Sequence, residues 1–142
     1  MSPKVLVVED NIAIRMLLKE LLKAEGVMRV SEAPNGLEAL QKLRDRAFDV
    51  IFADLEMPEM DGLDLLRQLR SGAAPQNRST PFIMVTAHAS RDVVKRVGAL
   101  GVRDFIVKPV TAGQVNSKLK SALSRGSTPR TDAQRDEDAW EL

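Results

Sequence analysis

Phe48-Asp49-Val50-Ile51-Phe52-Ala53-Asp54-Leu55-Glu56-Met57-Pro58-Glu59-Met60-Asp61-Gly62 is the stretch that decides the fold of this 142-residue chain. Its apolar run, Val50 to Ala53, offers no polar position to water and reads as a strand covered on both faces. The run stops on a carboxylate, Asp54. A loop with Pro58 and Asp61-Gly62 follows, then an amphipathic helix carrying Leu63, Leu66 and Leu69. In an open α/β sheet, chemistry gathers just beyond the carboxyl ends of the strands. Asp54 stands at such a place and reads as the acceptor of a phosphoryl group.

Working outward, the same pattern repeats. Lys4 to Val8 is a β-branched run, the first strand. Asn11 caps a helix whose Ile14, Leu17, Leu18, Leu21 and Leu22 follow the spacing of one buried face, and Gly26 ends it. Val27 to Ala33 is more polar, as suits a strand nearer an edge. Pro34-Asn35-Gly36 turns the chain into a second helix with Leu37, Leu40 and Leu43 inward. Ser71 to Thr80 reads as a loop on the side away from Asp54. Phe82 to Val85 is the fourth strand, ending on Thr86. Ser90 caps a fourth helix that Gly101 closes. Asp104 to Val107 is the fifth strand, ending on Lys108-Pro109. Thr111 and Gln114 form a capping box for a fifth helix with Val115, Leu119, Ala122 and Leu123 on one face. Five strands alternating with five helices predict a parallel sheet covered on both sides. Residues 1–124 form this domain, and 125–142, polar with an Asp136-Glu137-Asp138 run, reads as a flexible tail. Trp140, the only tryptophan, and Leu142 make a partner-docking segment the other reading of that tail.

Composition narrows the function. Hydrophobic residues make up 44% and charged residues 29%, with a net charge of +1. No bulk field favours nucleic acid or a membrane surface. There is no cysteine, hence no disulfide framework or thiolate metal site. Without a signal-peptide pattern or a span-length apolar run, a cytoplasmic protein is expected.

Parallel strands bring their carboxyl ends to one edge, so Glu9, Asp10, Asp54, Thr86 and Lys108 are expected together. Three carboxylates at that range repel and raise one another's pKa. A hard divalent cation relieves this, and magnesium takes oxygen ligands. Asp10 and Asp54 are the expected direct ligands, Glu9 the holder of a coordinated water, and the Glu56 carbonyl a further oxygen. The loop after the first strand has two acids and no glycine, so it is no nucleotide cradle. With magnesium, Asp54 acts as a nucleophile toward a phosphoryl donor. The Thr86 hydroxyl, the Ala87 backbone N–H and the Lys108 ammonium are placed to receive the transferred oxygens.

Glu9-Asp10, Asp54, Met57-Pro58 with Asp61-Gly62, Thr86-Ala87 and Lys108-Pro109, in this order and spacing over residues 4–124, resemble the receiver domain of bacterial two-component response regulators. The resemblance implies a flavodoxin-like (βα)5 fold with strand order 2-1-3-4-5. It implies that Asp54 takes phosphoryl from a sensor histidine kinase or phosphotransfer protein, with Mg2+ required, and that the peptide before Pro109 is cis. It also implies a switch in which Thr86 moves to the phosphoryl group and Phe105 swings inward, altering the surface of helix four, strand five and helix five that a downstream protein reads. At Phe105 the commoner tyrosine is absent, so recognition there needs no hydroxyl. Glu56 and His88 are the positions that tune dephosphorylation in the family. A stand-alone receiver for chemotaxis or phosphorelay signalling is expected: a switch rather than an enzyme, a monomer or a phosphorylation-dependent dimer, without nucleic-acid or membrane contact of its own. Two other readings are weighed against it. A haloacid-dehalogenase-like phosphatase shares the aspartate, magnesium, threonine and lysine, but its Asp-x-Asp follows the first strand. A DNA-binding regulator lacking its effector domain shares the receiver itself.

Overall fold

A computed structural model describes residues 3–88 and 90–124; the tail assigned to 125–142 lies outside the described residues. Five strands, β1 (Lys4–Val8), β2 (Arg29–Ala33), β3 (Val50–Asp54), β4 (Phe82–Thr86) and β5 (Asp104–Val107), form one sheet. They pair in parallel in the order β2-β1-β3-β4-β5. The helices are α1 (Ile12–Ala24), α2 (Gly36–Asp45), α3 (Gly62–Arg70), α4 (Arg91–Ala99) and α5 (Ala112–Leu123).

Alternation along each strand sends side chains to two separate cores. Leu6, Val8, Ile51, Ala53, Phe82 and Met84 pack with the leucines of α2 and α3 and with Val94 and Val97 of α4. Val5, Val7, Val50, Phe52, Ile83 and Val85 pack with Leu18 and Leu22 of α1 and with Val115 and Leu119 of α5. Every residue of β3 and β4 is buried, which is why these strands read as unbroken apolar runs. β2 is an edge strand and is buried only at Ala33.

The expected caps are in place. Asn11 and Ser90 accept from the backbone N–H groups of Ile14 and Val93, and Thr111 and Gln114 close both halves of the capping box. Gly26 and Gly101 have φ of +89° and +82°, the left-handed turn that ends α1 and α4.

Three inward assignments are corrected. Leu17, Leu37 and Leu123 are exposed, while Leu65, not singled out above, is fully buried. A helix against a flat sheet buries a narrow stripe, and Leu18–Leu22, Ala39–Leu40–Leu43 and Val115–Leu119–Ala122 already fill it. Strand two begins at Arg29 rather than Val27, because the Val27 N–H is still tied to the Leu22 carbonyl at the end of α1.

The stretch 71–80 is more ordered than a loop. A 3₁₀ turn, Pro75–Asn77, buries Asn77 completely. Its Oδ1 accepts from the Phe48 N–H at 2.8 Å, and its Nδ2 donates to the Leu43 and Arg46 carbonyls at 2.6 and 2.7 Å. One amide thus ties the end of α2 to the residues entering β3, and so helps fix where Asp54 emerges.

Candidate phosphoryl-acceptor and metal site

β1 and β3 are neighbours, yet their connections leave in opposite directions, toward β2 and toward β4. At such a reversal the loops diverge and open a crevice beyond the carboxyl ends. Glu9 and Asp10 follow β1 directly, and the Glu9 N–H extends the ladder by donating to the Ala33 carbonyl at 3.0 Å. Asp54 closes β3, and the next N–H, that of Leu55, donates to the Val85 carbonyl at 2.8 Å. Carboxylate oxygens of Glu9, Asp10 and Asp54 all lie within 4.8 Å of one another. Glu9 and Asp54 are buried, whereas Asp10 is exposed.

Lys108 comes in from the far strand. Its N–H donates to the Thr86 carbonyl at 2.8 Å, and the Lys108–Pro109 peptide is cis. Its ammonium lies 3.3 Å from Glu9 Oε1 and 3.3 Å from Asp54 Oδ2, bridging the two buried acids. Burial opposes the charge on Lys108, but Asp54 and Glu9 outweigh it and hold its pKa above the ordinary lysine value. Burial pushes the Glu9 carboxyl up to about 7, and Asp54 adds to this against the opposing Asn11 N–H.

These groups fit a hard cation. Glu9 Oε1 is buried and has no hydrogen-bond partner among the described residues; the Lys108 ammonium, at 3.3 Å, is the one cation paired with it there. Three oxygens of one sign, one of them open to water, match what magnesium takes. The Glu56 side chain is exposed, and its N–H donates to Asp54 Oδ1 at 3.2 Å, holding the loop backbone against Asp54.

Thr86 is fully buried and its hydroxyl is engaged: it donates to the His88 carbonyl and accepts from the His88 N–H, both at 3.0 Å. Ala87 and His88 are exposed. In register, Met84 faces Phe105 and Thr86 faces Val107, so Thr86 and Phe105 lie on the same face of the sheet, on neighbouring strands. The Phe105 ring is 3% exposed and part of the core, so its inward position is occupied while Thr86 is bonded to its own loop.

Several supports were not read from the sequence. Arg15 Nη1 donates to the Glu9 carbonyl at 2.8 Å while its Nε donates to Glu32, which Lys19 also binds at 2.8 Å. The Asn11 N–H donates to Glu9 Oε2 at 3.1 Å. Gly62 packs so closely that a Cβ there would stand 2.4 Å from the Asp54 carbonyl oxygen and 2.8 Å from Met84 Sδ. The Asp61-Gly62 pair was legible as a turn and helix start; that the glycine also makes room for the end of β3 was not, because nothing local encodes a tertiary approach.

The order of the acids, the threonine and the lysine on this sheet defines a receiver, and the chain belongs to the response regulator receiver domain family, whose sequence model matches residues 5–120. It is 37% identical over 122 residues to chemotaxis protein CheY-3 of Vibrio cholerae, covering 86% of this chain and 92% of that protein. It is likewise 37% identical to chemotaxis protein CheY of Pseudomonas aeruginosa, covering 86% and 97%. Among solved structures, Vibrio cholerae CheY4 superposes with a TM-score of 0.80 at 32% identity, covering 87% of this chain and all of that one. Receiver domains of this kind are signalling modules rather than classical enzymes, and phosphorylation and magnesium binding at the acidic site are general to them. No described helix is long and apolar enough to cross a membrane.

Proposed function

We propose that residues 1–124 form a receiver that accepts a phosphoryl group on Asp54 and passes its state to a protein partner through the face made by α4, β5 and α5. One observation carries this reading: Lys108 spans Glu9 and Asp54 at 3.3 Å each, with Asp10 beside them at the carboxyl edge of the sheet. Asp54 Oδ attacks phosphorus of a phosphohistidine on a sensor histidine kinase or phosphotransfer protein. An O–P bond forms, the N–P bond breaks, and the imidazole keeps its electron pair and takes a proton. Asp10, Asp54 and the Glu56 carbonyl would hold magnesium directly and Glu9 through water; the ion supplies charge neutralisation for the incoming phosphoryl oxygens. The Lys108 ammonium, already in contact with Asp54, and the Ala87 N–H receive those oxygens as charge builds.

Thr86 then exchanges its two loop bonds for one to the phosphoryl group, releasing the His88 backbone. The β4–α4 loop and α4 shift, and Phe105 becomes locked in its interior position. The change is a two-state repacking that the added charge biases. Water later attacks phosphorus, the O–P bond to Asp54 breaks, and phosphate leaves; the exposed Glu56 and His88 side chains flank that approach and set its rate. The similarity to proteins named for chemotaxis supports a chemotaxis-type output in the cytoplasm, with no direct nucleic-acid contact and a phosphorylation-dependent dimer as the alternative to a monomer.

The test is an amide NMR map with magnesium and beryllofluoride, an acyl-phosphate mimic. Signals near residues 54, 86 and 108 are expected to shift, with a continuous path into α4, β5 and α5, and no shift in Asp54→Asn. Shifts confined to the acid cluster would overturn the proposed route.

A further inference from the structure

The strand edge opposite Asp54 carries a cluster of positive charge, Lys4, Arg29 and Arg46, with the single acid Asp49 beside it. Lys4 and Arg29 open β1 and β2 and are register partners, so their side chains leave the same face. Arg46, the C-cap of α2, hangs over that face. Together with Met28 and Phe48 they line a recess of about 230 Å³. None of the three cations forms an ion pair with another described residue. Asp49, the nearby acid, has one oxygen engaged by the Lys4 backbone N–H at 2.7 Å. The recess is also partly apolar: Phe48 closes its floor and Met28, 79% exposed, stands at its rim. Three like charges around an apolar floor favour an occupant that is acidic and carries a large apolar side chain.

The chain itself contains such a segment. Asp136-Glu137-Asp138-Ala139-Trp140-Glu141-Leu142 has four acids, no base, and the only tryptophan. Its tether starts at the right edge of the sheet: Arg103, just before β5, donates to the Ser121 carbonyl at 2.7 Å, so α5 ends beside the strand starts. From β5 to β2 the sheet is about 19 Å across, four strand spacings. The twelve residues from Ser124 to Asp136 reach at most about 40 Å, enough to cross that edge.

We propose that segment 136–142 docks on its own domain in this basic recess, its acids facing Lys4, Arg29 and Arg46 and Trp140 lying over Met28 and Phe48. The docking covers the edge remote from Asp54 and therefore leaves phosphoryl acceptance untouched.

Trp140 makes the test direct, since all tryptophan emission comes from it. In the full chain at low salt, emission is expected to be blue-shifted and its anisotropy raised relative to a synthetic 130–142 peptide. Both differences should disappear at about 1 M salt, where the Debye length falls to about 3 Å, and in Arg29→Glu/Arg46→Glu. Adding Asp136→Lys/Asp138→Lys to that variant should restore them. Magnesium-dependent labelling of Asp54 by acetyl phosphate should equal that of the unmodified chain, which verifies the fold of each variant. Emission matching the free peptide at every salt concentration, or insensitive to the charge reversals, would overturn the proposal. So would a blue shift that grows with protein concentration, which would mean that the segment binds a second copy.

Discussion

Gly62 is a single residue on which the position of Asp54 depends. A methyl group at that point meets the backbone oxygen of Asp54 at 2.4 Å, and backbone cannot swing aside as a side-chain tip can. Gly62→Ala is expected to cost about 1–3 kcal/mol as overpacking. It should also slow acetyl-phosphate labelling of Asp54 by about tenfold or more, since misplacing a reacting group by an ångström costs up to two orders of magnitude. Denaturant melts and labelling rates measure the two effects separately; unchanged labelling would mean the acceptor tolerates the shift. Glu32 is a second test at this scale. Lys19 and then Arg15 hold its carboxyl below the usual range against partial burial. A depressed folded pKa contributes stability above the unfolded value near 4.5 and loses it as pH falls through the folded value. Glu32→Gln should therefore cost about 0.5–1 kcal/mol at pH 7, with the gap to the parent closing below pH 4. A constant gap across that range would place the effect in packing rather than charge.

Among the elements, β5 and the 75–77 turn carry the clearest consequences. Phe105 is buried in the core of this structure, so Phe105→Ala should cost about 3–5 kcal/mol, while Phe105→Leu keeps most of the volume. We expect Phe105→Leu to keep Asp54 labelling and lose the beryllofluoride-induced shifts in α4; retention of those shifts would remove the ring from the switch. Asn77→Ala leaves the buried Phe48 N–H and the Arg46 carbonyl without the amide and the Leu43 carbonyl with only a long bond from Gln76 at 3.4 Å, and a loss of about 2–3 kcal/mol is expected in thermal or urea melts. The sequence showed the first of these elements and hid the weight of the second, for a physical reason. β5, α4 and α5 announce themselves through alternation and caps, which are local signals. Asn77 looks like any turn asparagine, because its importance comes from carbonyls more than thirty residues away. Leu17, Leu37 and Leu123 mislead in the opposite sense: they sit within one turn of the buried stripe, and periodicity cannot resolve a face that narrow.

For the whole molecule, five strand ends spread from residue 8 to residue 107 meet at one edge because every connection returns the chain to the same starting side. For four of them that convergence was legible beforehand: strands one, three, four and five run into Glu9, Asp54, Thr86 and Lys108, poor places to continue an apolar run, and parallel order brings those residues together. The props behind the site were not, since Arg15 reaches the Glu9 carbonyl, and Gly62 the Asp54 carbonyl, only once the helices have packed. The fold and its acid–lysine edge together make one central claim, that Asp54 is the phosphoacceptor of a magnesium-dependent receiver. Mapping the acyl phosphate by borohydride trapping and peptide mass spectrometry, after acetyl phosphate with magnesium or with chelator, tests it most directly. The account predicts one modified site, residue 54, present with magnesium and absent with chelator and in Asp54→Asn. Labelling at another carboxylate, or labelling that ignores the metal, would contradict it.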